Sequence, residues 1–323
     1  MTASRSLARH ARPSLHLPLL LVLAAGCAGG GEGETADPAA DTSATSASTA
    51  ADTGFVLADV GFRTPESVLH DSVADVYLVS NIDGGPGAKD DNGFVSRVSP
   101  EGRLLELRWI DGASEDVTLH APKGLALSGD SLFVADVDSI RVFHRETGVP
   151  LGALAVPGAT FLNDLASGPD GTLYATDTGV RVTDTGLEPS GTDALYRFEG
   201  GQPIAIAEGE QLGGPNGVAV DARGPVVVSF GSGRILRVGD DGALQELAAP
   251  PAGQLDGVVL LAGGDMIVTG WEGSAVYHIT AGGEVHTIWQ DIDSPADLGF
   301  DYGRSRMLVP SFNGNRVEVR PTH

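Results

Sequence analysis

One short phrase recurs six times between Thr64 and Arg320: a turn, an apolar strand, a Gly/Asp turn and a second β-rich strand. Its first part reads Thr64-Pro65-Glu66-Ser67-Val68, then Ala121-Pro122-Lys123-Gly124-Leu125, Phe161-Leu162-Asn163-Asp164-Leu165, Gly214-Pro215-Asn216-Gly217-Val218, Gln254-Leu255-Asp256-Gly257-Val258 and Ser294-Pro295-Ala296-Asp297-Leu298. The shared central slot holds Glu66, Lys123, Asn163, Asn216, Asp256 and Ala296, spaced 57, 40, 53, 40 and 40 residues apart. That period suits propeller blades. Each unit offers β-rich runs bounded by Gly, Pro and Asp, and no sustained helical period occurs. Four strands in each of six units predict an all-β, six-bladed β-propeller of four-stranded blades. The last unit offers only three strands, so Phe55 to Val60 is expected to join it as the fourth, closing the ring and hiding an edge.

The 323 residues carry 45 glycines, only two lysines (Lys89 and Lys123) and a formal charge of −23. Such a charge repels nucleic acid and anionic headgroups, so a nucleic-acid partner is not expected. Arg5, Arg9 and Arg12 precede a short apolar run, Leu17 to Ala25, that is below the roughly 20 residues a spanning helix needs. It ends Leu23-Ala24-Ala25-Gly26-Cys27, and Cys27 is the only cysteine. This resembles the lipobox of bacterial lipoproteins. Residues 1–26 are therefore read as a lipoprotein signal peptide, and 27–53 as a flexible tether lipidated at Cys27, too poor in apolar residues to fold. Residues 54–321 are read as the propeller. The expectation is an exported monomer, lipid-anchored to the bacterial cell envelope on its periplasmic or surface side, with no other membrane contact.

Arranged about an axis, the slots become a ring. Glu66, Asn163, Asn216 and Asp256 then form a cage of hard oxygen donors for a divalent cation: Ca2+ first, with Mg2+, Mn2+ or Zn2+ as alternatives. Neighbouring Asp164, Asp297 and Phe161 are additional mouth residues. Lys123 is the exception. An ammonium roughly 7 Å from a dication is repelled by about 5 kcal/mol at an effective dielectric near 20. Lys123 either binds a substrate's developing oxyanion beside the cation, or itself neutralises the acids so that no cation binds. Because the slot opens each innermost strand, loops after each second strand share its mouth. Two of these, Asn81 to Gly93 and Thr178 to Asp193, are long enough to cover part of it. No Gly-X-Ser-X-Gly elbow is present to support a serine hydrolase.

Pro65-Glu66, Asn163-Asp164-Leu165-Ala166 with Pro169-Asp170-Gly171, Pro215-Asn216-Gly217-Val218-Ala219 and Leu255-Asp256-Gly257 make the chain similar to the gluconolactonase/regucalcin family. The likeness to paraoxonase lactonases and strictosidine-synthase-like propellers is more distant. The resemblance implies a metal in the central tunnel held by Glu66, Asn216 and Asp256, with Asn163 as a nearby ligand or substrate contact. It also implies a hydrolase of lactones or related esters, its substrate a small molecule with an ester or lactone carbonyl. Asp256 would orient or deprotonate the attacking water. Two departures qualify this. Phe161-Leu162 stand where gluconolactonases carry a sugar-binding Arg, so a simple sugar lactone is disfavoured. Lys123 stands where paraoxonase-like enzymes carry a catalytic His. The competing reading is a non-catalytic, membrane-tethered propeller that binds a ligand or protein.

Overall fold

The computed structural model describes residues 53–322. The signal segment, Cys27 and almost all of the 27–53 tether lie outside the described residues. No helix among the described residues is long and apolar enough to cross a membrane.

Six four-stranded antiparallel sheets form the blades; four are built from strands consecutive in sequence, the third is interrupted by a small hairpin, and the last borrows its outermost strand from the N-terminal side. The innermost strands of the first five are Pro65–Asp71, Pro122–Ser128, Leu162–Ser167, Pro215–Asp221 and Leu255–Leu260. Apart from strands, only two short 3-10 turns are assigned among the described residues, Glu210–Leu212 and Ala262–Gly264. Burial falls from the axis outward. The second strand of blade one, Val76–Asn81, is buried at every position because both its faces meet neighbouring blades. The outermost strand of blade two, Pro150–Ala155, is almost wholly exposed. The core therefore lies between blades. Leu57, Val68, Tyr77, Val98, Leu308 and Val319, for example, form one apolar cluster joining the first blade to the last.

Ring closure follows the expected route over a shorter length. Phe55–Leu57 pairs antiparallel with Arg316–Pro321, at Phe55↔Val319, Val56↔Glu318 and Leu57↔Val317. The strand stops at Leu57 and not Val60 because Asp59 (φ 57°) and Gly61 (φ 103°) turn the chain toward the first slot. The last blade differs more. Its innermost strand is only Gly299–Asp301, and the slot stretch before it bonds sideways to blade one. Asp297 N–H donates to Glu66 O (2.9 Å), and Val68 N–H donates to Asp297 O (3.3 Å).

Both long loops have structure. Within 178–193, Val180–Thr183 and Gly186–Pro189 pair as a small hairpin. Gly87, in the loop of blade one, packs against Val182 so closely that a Cβ there would lie 2.8 Å from Val182 Cγ2. Lys89 pairs with Asp138 of blade two. The loops of blades one and three thus meet above the blade that carries Lys123.

Candidate functional site

A β-bulge positions each of five slots. In blade one, Pro65 pairs with Asn81 and the next register partners are Val68 and Val79, leaving one extra residue on the inner strand. Equivalent shifts occur between Pro122 and Leu125, Leu162 and Leu165, Pro215 and Val218, and Leu255 and Val258. A bulge re-aims side chains out of the regular pleat, and here it brings the slots together at the axis. Its freed N–H groups are satisfied by hydroxyls on alternate second strands. Ser80 Oγ accepts from Ser67 N–H (2.9 Å), Thr176 Oγ1 from Asp164 N–H (3.0 Å) and Thr269 Oγ1 from Gly257 N–H (2.8 Å). Thr176 and Thr269 donate onward to Asn216 O and Ala296 O in the following blade, so each hydroxyl links two blades. Glycine after the slot permits that closeness: a Cβ on Gly217 would overlap the Asp256 carbonyl.

The structure buries the slot residues Glu66, Lys123, Asn163, Asn216 and Asp256, along with the adjoining Asp164 and Asp297; Lys123 is 1 % exposed. One polar oxygen from each of four slots points at nothing: Glu66 Oε2, Asn163 Oδ1, Asn216 Oδ1 and Asp256 Oδ1 are buried without a hydrogen-bond partner. A buried unsatisfied acceptor costs about 1–3 kcal/mol, more when charged, so four converging in one tunnel call for an electrophilic partner. Among the described residues no three His, Cys, Asp or Glu side chains cluster as a metal site. The oxygen set is half asparagine, which suits a hard cation and not a thiophilic one. On donor chemistry these residues fit the cation expected from the sequence.

The electrostatics point the same way. Four carboxyls, Glu66, Asp164, Asp256 and Asp297, share the tunnel with one ammonium. Burial raises Glu66 well above the ordinary carboxylate range, reinforced by Asp256 and Asp297 and opposed by Lys123. Burial and Asp297 push Asp256 up, while the facing Trp271 and Asn216 side chains hold it down. Neither of those two makes a well-formed hydrogen bond to Asp256 Oδ1, and the Trp271 indole Nε1 itself has no partner. Asp164 is also raised, although Val218 and Leu165 N–H groups donate to its oxygens. Asp297 is pushed up to about 7 by burial, against a hydrogen bond from Ser67 Oγ–H (2.5 Å). Lys123 is pushed down to about 8 by burial, against the pull of Glu66 and Asp136. Its Nζ donates to Ala121 O (3.0 Å) and stands 4.4 Å from the centre of the Phe161 ring, a cation–π contact.

Sequence reasoning missed a second ring. The residue after each second strand occupies an equivalent place above the slots: Ile82, Val137, Thr178, Phe230, Trp271 and Phe312. In five blades its N–H donates to the carbonyl two residues before the slot: Ile82 to Thr64, Thr178 to Phe161, Phe230 to Gly214, Trp271 to Gln254 and Phe312 to Ser294. In blade two Lys123 Nζ reaches the equivalent carbonyl, Ala121 O. Aligning the six second strands one residue past their ends would have revealed this collar. Thr178 Oγ1 also accepts from Asn163 Nδ2 (2.9 Å), which fixes that amide with its oxygen left free. Below the slots, a cavity of about 1230 Å³ opens at the opposite mouth. Its apolar wall includes Val68, Leu125 and Val258, and its floor includes Ser67, Asp164 and Asp297. Its arginines Arg145, Arg223 and Arg304 are paired with Asp71, Asp221 and Asp75, and its one orphaned buried side-chain atom among the described residues is the Ser167 hydroxyl.

Comparison with solved structures shows the fold: the chain superposes on structures of gluconolactonases and of virginiamycin B lyase. A structural-genomics target provisionally named a gluconolactonase superposes with a TM-score of 0.62 at 17% identity, covering 81% of this chain and 90% of that one. A gluconolactonase from Xanthomonas campestris gives 0.54 at 20% identity, over 83% and 98%. Virginiamycin B lyase from Staphylococcus aureus, in a catalytically inactive form with quinupristin, gives 0.54 at 16%, over 84% and 96%. No protein-family model and no curated protein matches the sequence. At these identities the likeness shows the fold, and the chemistry rests on this chain's own residues.

Proposed function

We propose that the protein is a cation-dependent hydrolase of lactones or related esters. The observation that carries this reading is the set of four orphaned buried oxygens, on Glu66, Asn163, Asn216 and Asp256. These residues would hold a divalent cation, Ca2+ first among hard-oxygen ions. When bound, the cation supplies a Lewis acid for the substrate carbonyl. The chain supplies the rest. Asp256, its carboxyl raised above the ordinary range by burial and Asp297, orients a water and accepts its proton. Lys123 is anchored by one donor to Ala121 O and presents its remaining N–H to oxygen charge developing on the substrate. The meeting loops of blades one and three shield that side from water. In keeping with the N-terminal sequence, the proposal places the enzyme outside the cytoplasm on a lipid tether at Cys27.

The test is a panel of lactones and aryl esters assayed with added Ca2+ on the protein and on Asp256→Asn. Hydrolysis reduced at least 100-fold in the variant supports the role of Asp256; equal rates remove it from the mechanism. Lys123 favours a second reading, a non-catalytic binding propeller, because its ammonium can neutralise part of the acidic cluster without a cation. Absence of any hydrolysis together with specific ligand binding would select that reading.

A further inference from the structure

The mouth above the slots is asymmetric. Over blades one to three it is closed in by the meeting loops, the Lys89–Asp138 pair, and Ile82 and Val137, which pack with Ala121 in one apolar cluster. Over blades four to six the collar positions are aromatic and half-buried: Phe230, Trp271 and Phe312. They form one continuous surface. Phe230 meets Trp271 edge-on at 5.7 Å between ring centres, and Trp271 meets Phe312 at 5.2 Å, tilted by 49°. The backbone bonds to Gly214, Gln254 and Ser294 fix the surface directly above the blades that carry Asn216 and Asp256.

Within this apolar surface sits one unsatisfied polar group. The indole nitrogen of Trp271 is a donor only, and its Nε1–H is buried without an acceptor while facing the Asp256 carboxyl. A buried unpaired donor is costly to keep, and an acceptor oxygen arriving with a ligand would satisfy it. Phe161 and Leu162, beside the third slot, are apolar and buried.

We infer that Phe230, Trp271 and Phe312 form the specificity subsite for the apolar part, alkyl or aryl, of the ester or lactone, with the Trp271 indole N–H donating to an oxygen of the same ligand. This rests on the proposed function only in placing the carbonyl near Asp256; the shelf itself is a binding claim. The ligand class is a small ester or lactone with an apolar substituent next to its carbonyl ring or chain, not a sugar lactone. Each methylene laid on the shelf should improve binding by about fourfold when fully removed from water.

The experiment separates binding from turnover by using hydrolysis-inert lactams: unsubstituted δ-valerolactam, and the same ring carrying a pentyl chain. The chain has three tryptophans, Trp109, Trp271 and Trp289, so indole N–H resonances in a 15N-labelled sample resolve to three, and Trp271→Phe assigns the relevant one. The pentyl lactam is expected to shift the Trp271 signal selectively and to bind at least tenfold more tightly than the bare ring. Trp271→Phe should keep the chain preference and weaken both lactams a few-fold through the lost donor. Trp271→Ala should abolish most of the preference. Equal affinity of the two lactams, or pentyl-lactam binding that leaves the Trp271 resonance unmoved, overturns the inference, as does failure of both to bind. If the lactam results hold while no ester or lactone is hydrolysed, the shelf stands and the catalytic reading alone fails. Should Trp271→Ala not fold, the Trp271→Phe and wild-type comparisons still decide the outcome.

Discussion

Replacing Asp297 by Asn should remove a pH-dependent weakness from the cation-free protein. Burial raises this carboxyl from an ordinary value near 3.8 to about 7, against the opposing hydrogen bonds with Ser67 and the neighbouring Asp164 carboxyl. Between those values the folded protein holds a proton that the unfolded chain has released, so stability falls as pH rises through the window. Integrated across it, the loss is at most about 4 kcal/mol, complete slightly above pH 7. Asparagine keeps an acceptor for Ser67 Oγ–H and cannot ionise. In excess chelator, guanidinium unfolding should therefore give similar stabilities for wild type and Asp297→Asn at pH 4. By pH 8 the variant should lead by up to about 4 kcal/mol, worth roughly 10 °C in a domain of this size. Saturating Ca2+ should shrink the gap, because a dication in the tunnel stabilises the ionised carboxyls around it. Parallel stability profiles for the two proteins from pH 4 to pH 8 in chelator would refute the reasoning.

Lys123→Met should bind Ca2+ about tenfold more tightly at pH 7 and converge with wild type near pH 9, because a lysine at about 8 must give up its proton or repel the entering cation. Titration calorimetry at the two pH values checks this, and equal affinities at pH 7 would separate Lys123 from the cage. Thr176→Val keeps shape but strands Asp164 N–H and Asn216 O. It should cost about 2–4 kcal/mol in urea unfolding, with Thr176→Ser recovering most of that. Gly217→Ala drives a Cβ into the Asp256 carbonyl of the adjoining strand, which cannot move aside as a flexible side chain could. It should cost about 1–3 kcal/mol and lower Ca2+ affinity as well, whereas an unchanged melting temperature would show that the strands can part.

Blade number and closure were legible because propeller blades repeat, and six copies of one phrase over-determine the period. Strand ends were less so. Phe55–Leu57 stops early because Asp59 takes a left-handed conformation, a choice that local composition does not dictate. The short innermost strand of the last blade owes its form to hydrogen bonds with Glu66 and Val68, more than 200 residues away. The slot residues could be picked out because equivalent positions in a ring must converge. Their aim into the tunnel depends on a bulge, which strand periodicity does not reveal, and on Ser80, Thr176 and Thr269, whose hydroxyls read as ordinary strand residues. The aromatic collar stayed hidden for a different reason. Ile82, Val137, Thr178, Phe230, Trp271 and Phe312 share a position but not a residue type, so they stand out as a set only once the second strands are aligned past their ends, and the backbone hydrogen bond common to five of them confirms it.

The cation cage is the claim on which the rest depends, and calorimetric titration of Ca2+ into chelator-stripped protein tests it most directly, with thermal melting of the same samples. One equivalent should bind, and at 100-fold excess over Kd the protein should gain about 2.7 kcal/mol, a rise of roughly 5–10 °C. Asp256→Asn should weaken both signals. No binding heat and an unchanged melting temperature with Ca2+, Mg2+ and Mn2+ would contradict the account and leave Lys123 as the only counter-ion of the tunnel.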